Sequence, residues 1–130
     1  MADLITADEA RAQLRIDGSA DDAWLALWIP IISQAIASWL KDSWRLYVPL
    51  LDVFGNPILD SSGDPIPDED SSGPIINPAV RGAALVEIAS QYRFREGDGD
   101  NAVPPDAGYG YVLCRTATAL LSPIRKSTIA

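Results

Sequence analysis

From Ala23 to Leu40 the chain reads AWLALWIPIISQAIASWL, without a single charge, between Asp21-Asp22 on one side and Lys41-Asp42 on the other. Trp24, Trp28, Ile31, Ala35 and Trp39 recur at spacings of three or four, which predicts a helix that carries them on one side. Leu25, Leu27, Ile29, Ile32, Ile36 and Leu40 make the remaining sides apolar too. A helix that is hydrophobic nearly all round has to be covered on several sides. The spacing extends it from Ser19 or Asp21 to about Trp44, with Pro30 inside. Proline removes one backbone hydrogen bond and should kink the rod or divide it. A chain of 130 residues has few other elements with which to cover such a helix. The cover must come from its own helices, from neighbouring subunits, or from a membrane.

Three shorter helices are predicted around it. Thr6 followed by Glu9 forms a capping box, Ile5 stands ready to staple onto Ala10, and Asp8 and Glu9 suit the positive end of the helix dipole. Arg11 and Arg15 lie on a neighbouring face that reads as solvated, and Gly18 marks the expected stop. A third helix opens at Asn77-Pro78, an N-cap followed by proline at the first helical position. Val80, Ala84 and Ile88 give it an inner side, and it runs on towards Gly97. The last helix is expected from Gly108 or Gly110 to Leu121. Cys114 lies within it as a small buried hydrophobe.

Between the second and third helices, Tyr47 to Asn77 is a different kind of sequence, rich in proline and with six acids and no base. It holds a loose repeat: Asp52-Val-Phe-Gly55-Asn-Pro57-Ile58, then Asp60-Ser-Ser-Gly63-Asp-Pro65-Ile66, then Asp70-Ser-Ser-Gly73-Pro74-Ile75. Each unit is turn chemistry followed by a short apolar step, which predicts an extended arm or hairpin. The aspartates do not follow the calcium-loop pattern, in which acids alternate and a glutamate closes the loop. The whole reads as one mainly α domain: a small bundle of about four helices around the long central one, with this arm inserted between helices 2 and 3. The tail from Pro123 onwards carries Arg125 and Lys126.

Composition narrows the chemistry. Net charge is −8, from 18 acids and 10 bases, against the basic patches that a phosphate-gripping protein needs. There is no histidine, so the usual general base and the commonest metal ligand are missing. Cys114 is the only cysteine, which rules out an intramolecular disulfide. No glycine-rich phosphate loop and no metal-spaced cluster occurs, and the acids gather in loops rather than on rigid elements, so neither an enzyme nor a cofactor is expected. The Met-Ala-Asp-Leu start lacks the basic region of a secretion signal, which places the chain in a cytoplasm. Pro30, Ser33, Gln34 and Ser38 argue against a membrane span.

What remains is interaction. Aromatic and apolar anchors concentrate binding energy at interfaces. The candidates are Trp24, Trp28, Trp39 and Trp44 on and beside the central helix, Phe54, Ile58, Ile66 and Ile75 in the arm, and Arg125 and Lys126 in the tail.

Three phrases have a familiar order. Thr6-Ala-Asp-Glu-Ala-Arg-Ala-Gln13-Leu14-Arg15-Ile16-Asp17, then Asp21-Asp22 and a long apolar helix, resembles the opening of the tailed-phage head–tail connector (adaptor) family. Val80 to Arg95, closing on Tyr92-Arg93-Phe94-Arg95, resembles that family's third helix, and Ala119-Leu120-Leu121-Ser122-Pro123-Ile124-Arg125 resembles its ending. The acidic arm is longer than a minimal member needs, and Ile124 stands where the family often has tyrosine. The resemblance implies a structural virion protein assembled in the bacterial cytoplasm. Its subunits form a homo-oligomeric ring of commonly about a dozen copies. The ring docks under the portal protein and offers a platform to a stopper or tail-completion protein. DNA passes through its lumen without sequence-specific binding. In such a ring Asp60, Asp64, Asp68, Glu69 and Asp70 would face the lumen or a partner. The competing reading from another class is a small acidic binding module, an inhibitor of DNA-mimic type acting on a basic partner.

Overall fold

Thr6 starts the first helix as its sequence demands. In the computed structural model, which describes residues 3–93 and 113–125, α1 spans Ala7–Leu14. The Glu9 N–H donates to Thr6 Oγ1 at 3.1 Å and the Thr6 N–H to Glu9 Oε1 at 3.0 Å, which closes the capping box. The helix ends earlier than Gly18. Arg15 turns left-handed at φ 56°, and the N–H groups of Arg15 and Ile16 return to the carbonyls of Ala12 and Arg11. That is the Schellman pattern with arginine at the position where glycine is usual. Arg11 is not merely solvated: its guanidinium pairs with Asp8 and, at 3.0 Å, with Asp22 at the start of the second helix.

α2 spans Asp22–Leu40 without interruption. The expected break at Pro30 does not occur. The carbonyl that proline leaves without its helical donor belongs to Ala26, and both residues lie on the exposed side, where that carbonyl is open to solvent. Leu25, Ile29, Ile32, Ser33, Ile36 and Leu40 are buried. Each large aliphatic among them contributes about 1.5–3 kcal/mol of burial free energy. Ser33 is tolerated there because it is fully used: its Oγ donates to the Ile29 carbonyl at 2.8 Å and accepts the Leu4 N–H at 3.0 Å. α2 also stops short of Trp44. Lys41 takes φ 74°, ψ −49°, and the Asp42 N–H bonds to the Leu40 carbonyl at 3.0 Å, a γ-turn of the strained hand. A 3-10 turn, Ser43–Leu46, follows.

Residues 47–76 form the arm, which the hydrogen bonds make an ordered three-stranded device. Leu50 N–H donates to the Ile66 carbonyl (2.8 Å), Ile66 N–H to that of Ile58 (2.9 Å), and Ile58 N–H to that of Leu50 (2.9 Å), closing a ring. A second ring runs Val48 to Ile75 (2.9 Å), Ile75 to Asp68 (2.9 Å) and Asp68 to Val48 (2.8 Å). Antiparallel bridges pair Tyr47 with Ile76, Pro49 with Pro67, Leu51 with Pro57, and Leu59 with Pro65. The prolines explain how so proline-rich a run can pair. Pro49, Pro57, Pro65 and Pro67 alternate with the donors Val48, Leu50, Ile58, Ile66 and Asp68, so no proline stands where an N–H is required. β1 (Glu69–Asp70) and β2 (Gly73–Pro74) make a two-residue antiparallel pair at the base.

α3 spans Pro78–Arg93 and α4 Arg115–Leu121, with a 3-10 turn at Ser122–Ile124. Asn77 caps α3, its Oδ1 accepting the Ala79 N–H at 2.9 Å. The fold is thus mainly helical, with four helices and one small sheet among the described residues. Its principal hub is α3, which packs against α1, α2 and α4; α2 packs against α1, α3 and the Ser43–Leu46 turn. Val80, Ala83, Ala84 and Ile88 of α3 meet Leu25, Ile29, Ile32 and Ile36 of α2 and Ala117 and Leu121 of α4 in one core. α4 starts later than the sequence pattern predicts, and Cys114 precedes it as N-cap rather than lying within it. The expected helix start at Gly108 or Gly110, the run towards Gly97, and Lys126 lie outside the described residues.

Candidate functional site

Among the described residues, two groups of exposed apolar side chains stand out, and they lie on different elements. The first is the outer side of α2. Ala23, Ala26, Leu27, Pro30 and Ile31 are exposed there, Leu27 by 60% and Ile31 by 37%. Two adjoining depressions of about 460 Å³ each run along this side, and Ile31 and Gln34 line both. Pro30 and Ser33 complete one; Ala35, Ser38, Trp39 and Leu113 complete the other. By length and composition α2 would also pass as a membrane span, but its inner side is committed to the core.

The second surface is the far end of the arm, where Val53 is 94% exposed and Phe54 85%. Leu50, Leu51, Ile58 and Leu59 continue it. Burial increases from this tip towards the base, where Ile66 and Ile75 are half-buried. There Tyr47, Pro49, Pro57 and Pro65 meet Trp44 and Ile124 around a cavity of about 350 Å³.

The four tryptophans occupy the flanks between core and surface, and none is fully exposed. Trp24 stacks on Trp28, with centroids 5.7 Å apart, and meets the Tyr92 ring edge-on at 5.3 Å. The Tyr92 hydroxyl donates to Asp21 at 2.9 Å, so this aromatic cluster also joins α3 to the start of α2. Trp39 lies under the Arg125 guanidinium, 4.2 Å from its centroid, and Trp44 under that of Arg45, 4.3 Å away. Arg45 further bonds Asp42 and, through Nη1, the Ile124 carbonyl at 2.8 Å, pinning the 3-10 turn that follows α4 beside the arm. These pairs make a cationic, aromatic corner at the C-terminal end of α2.

The arm acids are first of all turn anchors. Asp60 Oδ1 accepts the N–H groups of Ser62 and Asp64 (2.8 and 3.1 Å), as Asp52 does those of Phe54 and Asn56 (2.9 and 3.0 Å). Asp70 accepts from the Ser72 hydroxyl and N–H, which holds its carboxyl below the usual range. Asp68 Oδ1 accepts the Glu69 N–H at 2.9 Å. Gly55, Gly63 and Gly73 all sit at positive φ (81°, 86° and 116°), the conformation these turns require. Asp60, Asp64, Glu69 and Asp70 are nevertheless exposed, so their outward field remains acidic. Among the described residues no group of His, Cys, Asp or Glu is arranged to hold a metal.

Leu27 and Ile31 escaped the aromatic criterion, because a sequence that is apolar on every side gives no contrast from which to read the uncovered one. The fold supplies that contrast. The geometry defines a small, mainly helical protein with an ordered acidic arm, and the surfaces that stand out among the described residues are exposed apolar ones. The chain matches no protein-family model, no curated protein and no solved structure.

Proposed function

We propose that this chain is a structural subunit of a phage head–tail connector. In that role it is not an enzyme. It assembles into a homo-oligomeric ring beneath the portal, passes DNA through the lumen and receives a stopper or tail-completion protein on its far side. The observation that carries the reading is the outer side of α2. A long helix with an apolar inner and an apolar outer side, Leu27, Pro30 and Ile31 among the latter, is half a helix–helix interface. The order of phrases along the sequence says which kind of assembly. The finer fold that belongs to this reading is a bundle in which α2 forms the wall against a neighbouring subunit and the arm projects from it. The acids of the arm would then repel DNA phosphates from a surface that DNA must pass without adhering.

Light scattering tests it, on the purified chain alone and mixed with the portal protein encoded in the same genome. A ring, or a high-mass complex that forms only with the portal, supports the connector. A monomer that ignores the portal and binds a basic protein instead favours an acidic inhibitor, the second reading that the net charge of −8 allows.

A further inference from the structure

The arm contains its own control experiment. Its three turns share the Asp-x-x-Gly frame, the aspartate that accepts backbone N–H groups, and the glycine at positive φ. In two of them the intervening residues are Ser61-Ser62 and Ser71-Ser72. In the first they are Val53-Phe54. Serine suits a solvated turn, whereas a β-branched residue and an aromatic ring do not. The two serine turns show that the frame needs no apolar side chain. Val53 and Phe54 touch so little of their own chain that they remain 94% and 85% exposed. Turn geometry therefore explains the aspartate and the glycine and leaves Val53-Phe54 to be explained by something outside the chain.

The same chain carries a surface of the complementary kind. The depressions on α2 present Pro30, Ile31, Ala35 and the edge of Trp39, with room for an aromatic side chain. Their C-terminal end is cationic: exposed Lys41 lies two residues beyond Trp39, and exposed Arg125 lies over the Trp39 ring. The arm has six acids and no base. Tip and groove thus match in apolar character and oppose each other in charge. We infer that the Val53-Phe54 turn of one copy seats in the α2 groove of the next, with Asp52 and Asp60 towards Lys41 and Arg125. A tip and a groove at different places on one chain make a head-to-tail joint, the type that closes into a ring when its rotation permits. This rests on the connector reading and names the joint between its subunits.

Two variants of the full chain test it. V53S/F54S writes into the first turn the residues its sister turns already carry, so circular dichroism and melting should match the wild type. I31D places a carboxylate in the groove at an exposed helical position. The wild type, each variant and their equimolar mixture are compared by sedimentation, alone and with the portal. Wild type should associate, and each variant alone should associate at least about a hundredfold more weakly, the loss of a buried aromatic anchor. The mixture should give a dimer and nothing larger, because it holds one working tip and one working groove. V53S/F54S that assembles like wild type, or a mixture as inert as its parts, overturns the joint. So does a wild type that is monomeric both alone and on the portal, and so does a photo-cross-linker at position 54 that captures only the portal. If rings form on the portal with V53S/F54S as well as with wild type, the joint is wrong and the connector stands. If the portal is ignored while the mixture still dimerises, the joint stands and the connector fails.

Discussion

The carboxylate of Glu87, buried within α3, accepts the backbone N–H of Cys114 at 2.8 Å. Cys114 is the N-cap of α4, so this bond ties the start of α4 to α3, and Gln91 Nε2 donates to the other carboxylate oxygen at 3.2 Å. Removing it leaves a donor without its partner and a hole in the core. Glu87→Ala should cost about 2–4 kcal/mol. In thermal unfolding that is a drop of roughly 6–15 °C in Tm for a chain of this size. Glu87→Gln keeps an oxygen acceptor and should cost less. Equal loss in both would mean that the charge, not the bond to Cys114, is what the site needs.

Two helix ends are held by non-glycine residues at positive φ, Arg15 at 56° and Lys41 at 74°. The left-handed region costs an L-residue about 1–2 kcal/mol, and glycine's greater freedom in the unfolded chain returns part of that. Arg15→Gly and Lys41→Gly should therefore each raise stability slightly, by up to about 1 kcal/mol in urea unfolding, with the slope unchanged. Arg15→Pro should do the reverse, since proline cannot reach this conformation.

Burial pushes the Cys114 thiol above its ordinary value, and the neighbouring Glu87 carboxylate adds to the rise. The thiolate is the reactive form. At pH 8 Cys114 should react with a disulfide reagent more slowly than a free thiol, and its rate should keep climbing above pH 9. Glu87→Ala should quicken the reaction by removing both the charge and the packing. A fast reaction at pH 8 in the wild type would contradict this environment.

Acid should loosen the turn at the base of the arm before the helices respond. The Asp70 carboxyl is held below the ordinary 3.8, chiefly by the Ser72 hydroxyl and then by the Ser72 N–H. Such a group adds stability above its unfolded pKa and loses it as pH falls through the lower folded value. The Ser72 amide resonance should titrate with a midpoint below 3.8, and Ser72→Ala should move that midpoint upwards. A midpoint at or above the ordinary value in the wild type would mean that the hydrogen bonds do not form in solution.

Much of the fold could be read locally. The capping box at Thr6 and Glu9, the Asn77-Pro78 start and the uncharged run after Asp22 each contain their own physical reason, and each appears where the sequence puts it. The repeat of Asp and Gly likewise declared three turns. What could not be read was how the segments between those turns meet. The rings of hydrogen bonds join residues such as Leu50, Ile58 and Ile66, whose spacing of eight has meaning only once the turns bring them together.

Helix ends needed the tertiary structure as well. Nothing at Arg15 or Lys41 announces a left-handed residue, and both are there because packing of the next element decides the direction of the chain. Pro30 announced a kink or a break; α2 is not broken there, and Ala26 and Pro30 lie on its exposed side, where the lost donor leaves a carbonyl open to solvent. The candidate site divides in the same way. Phe54 was visible as an aromatic in a turn, since a turn has no interior to hide it. Leu27 and Ile31 were indistinguishable from Ile29 and Ile32. The sequence by itself determined that α2 has apolar residues on every side. Which side faces out was decided only when α1 and α3 covered the other, and that choice is made by packing, to which no single helical period refers.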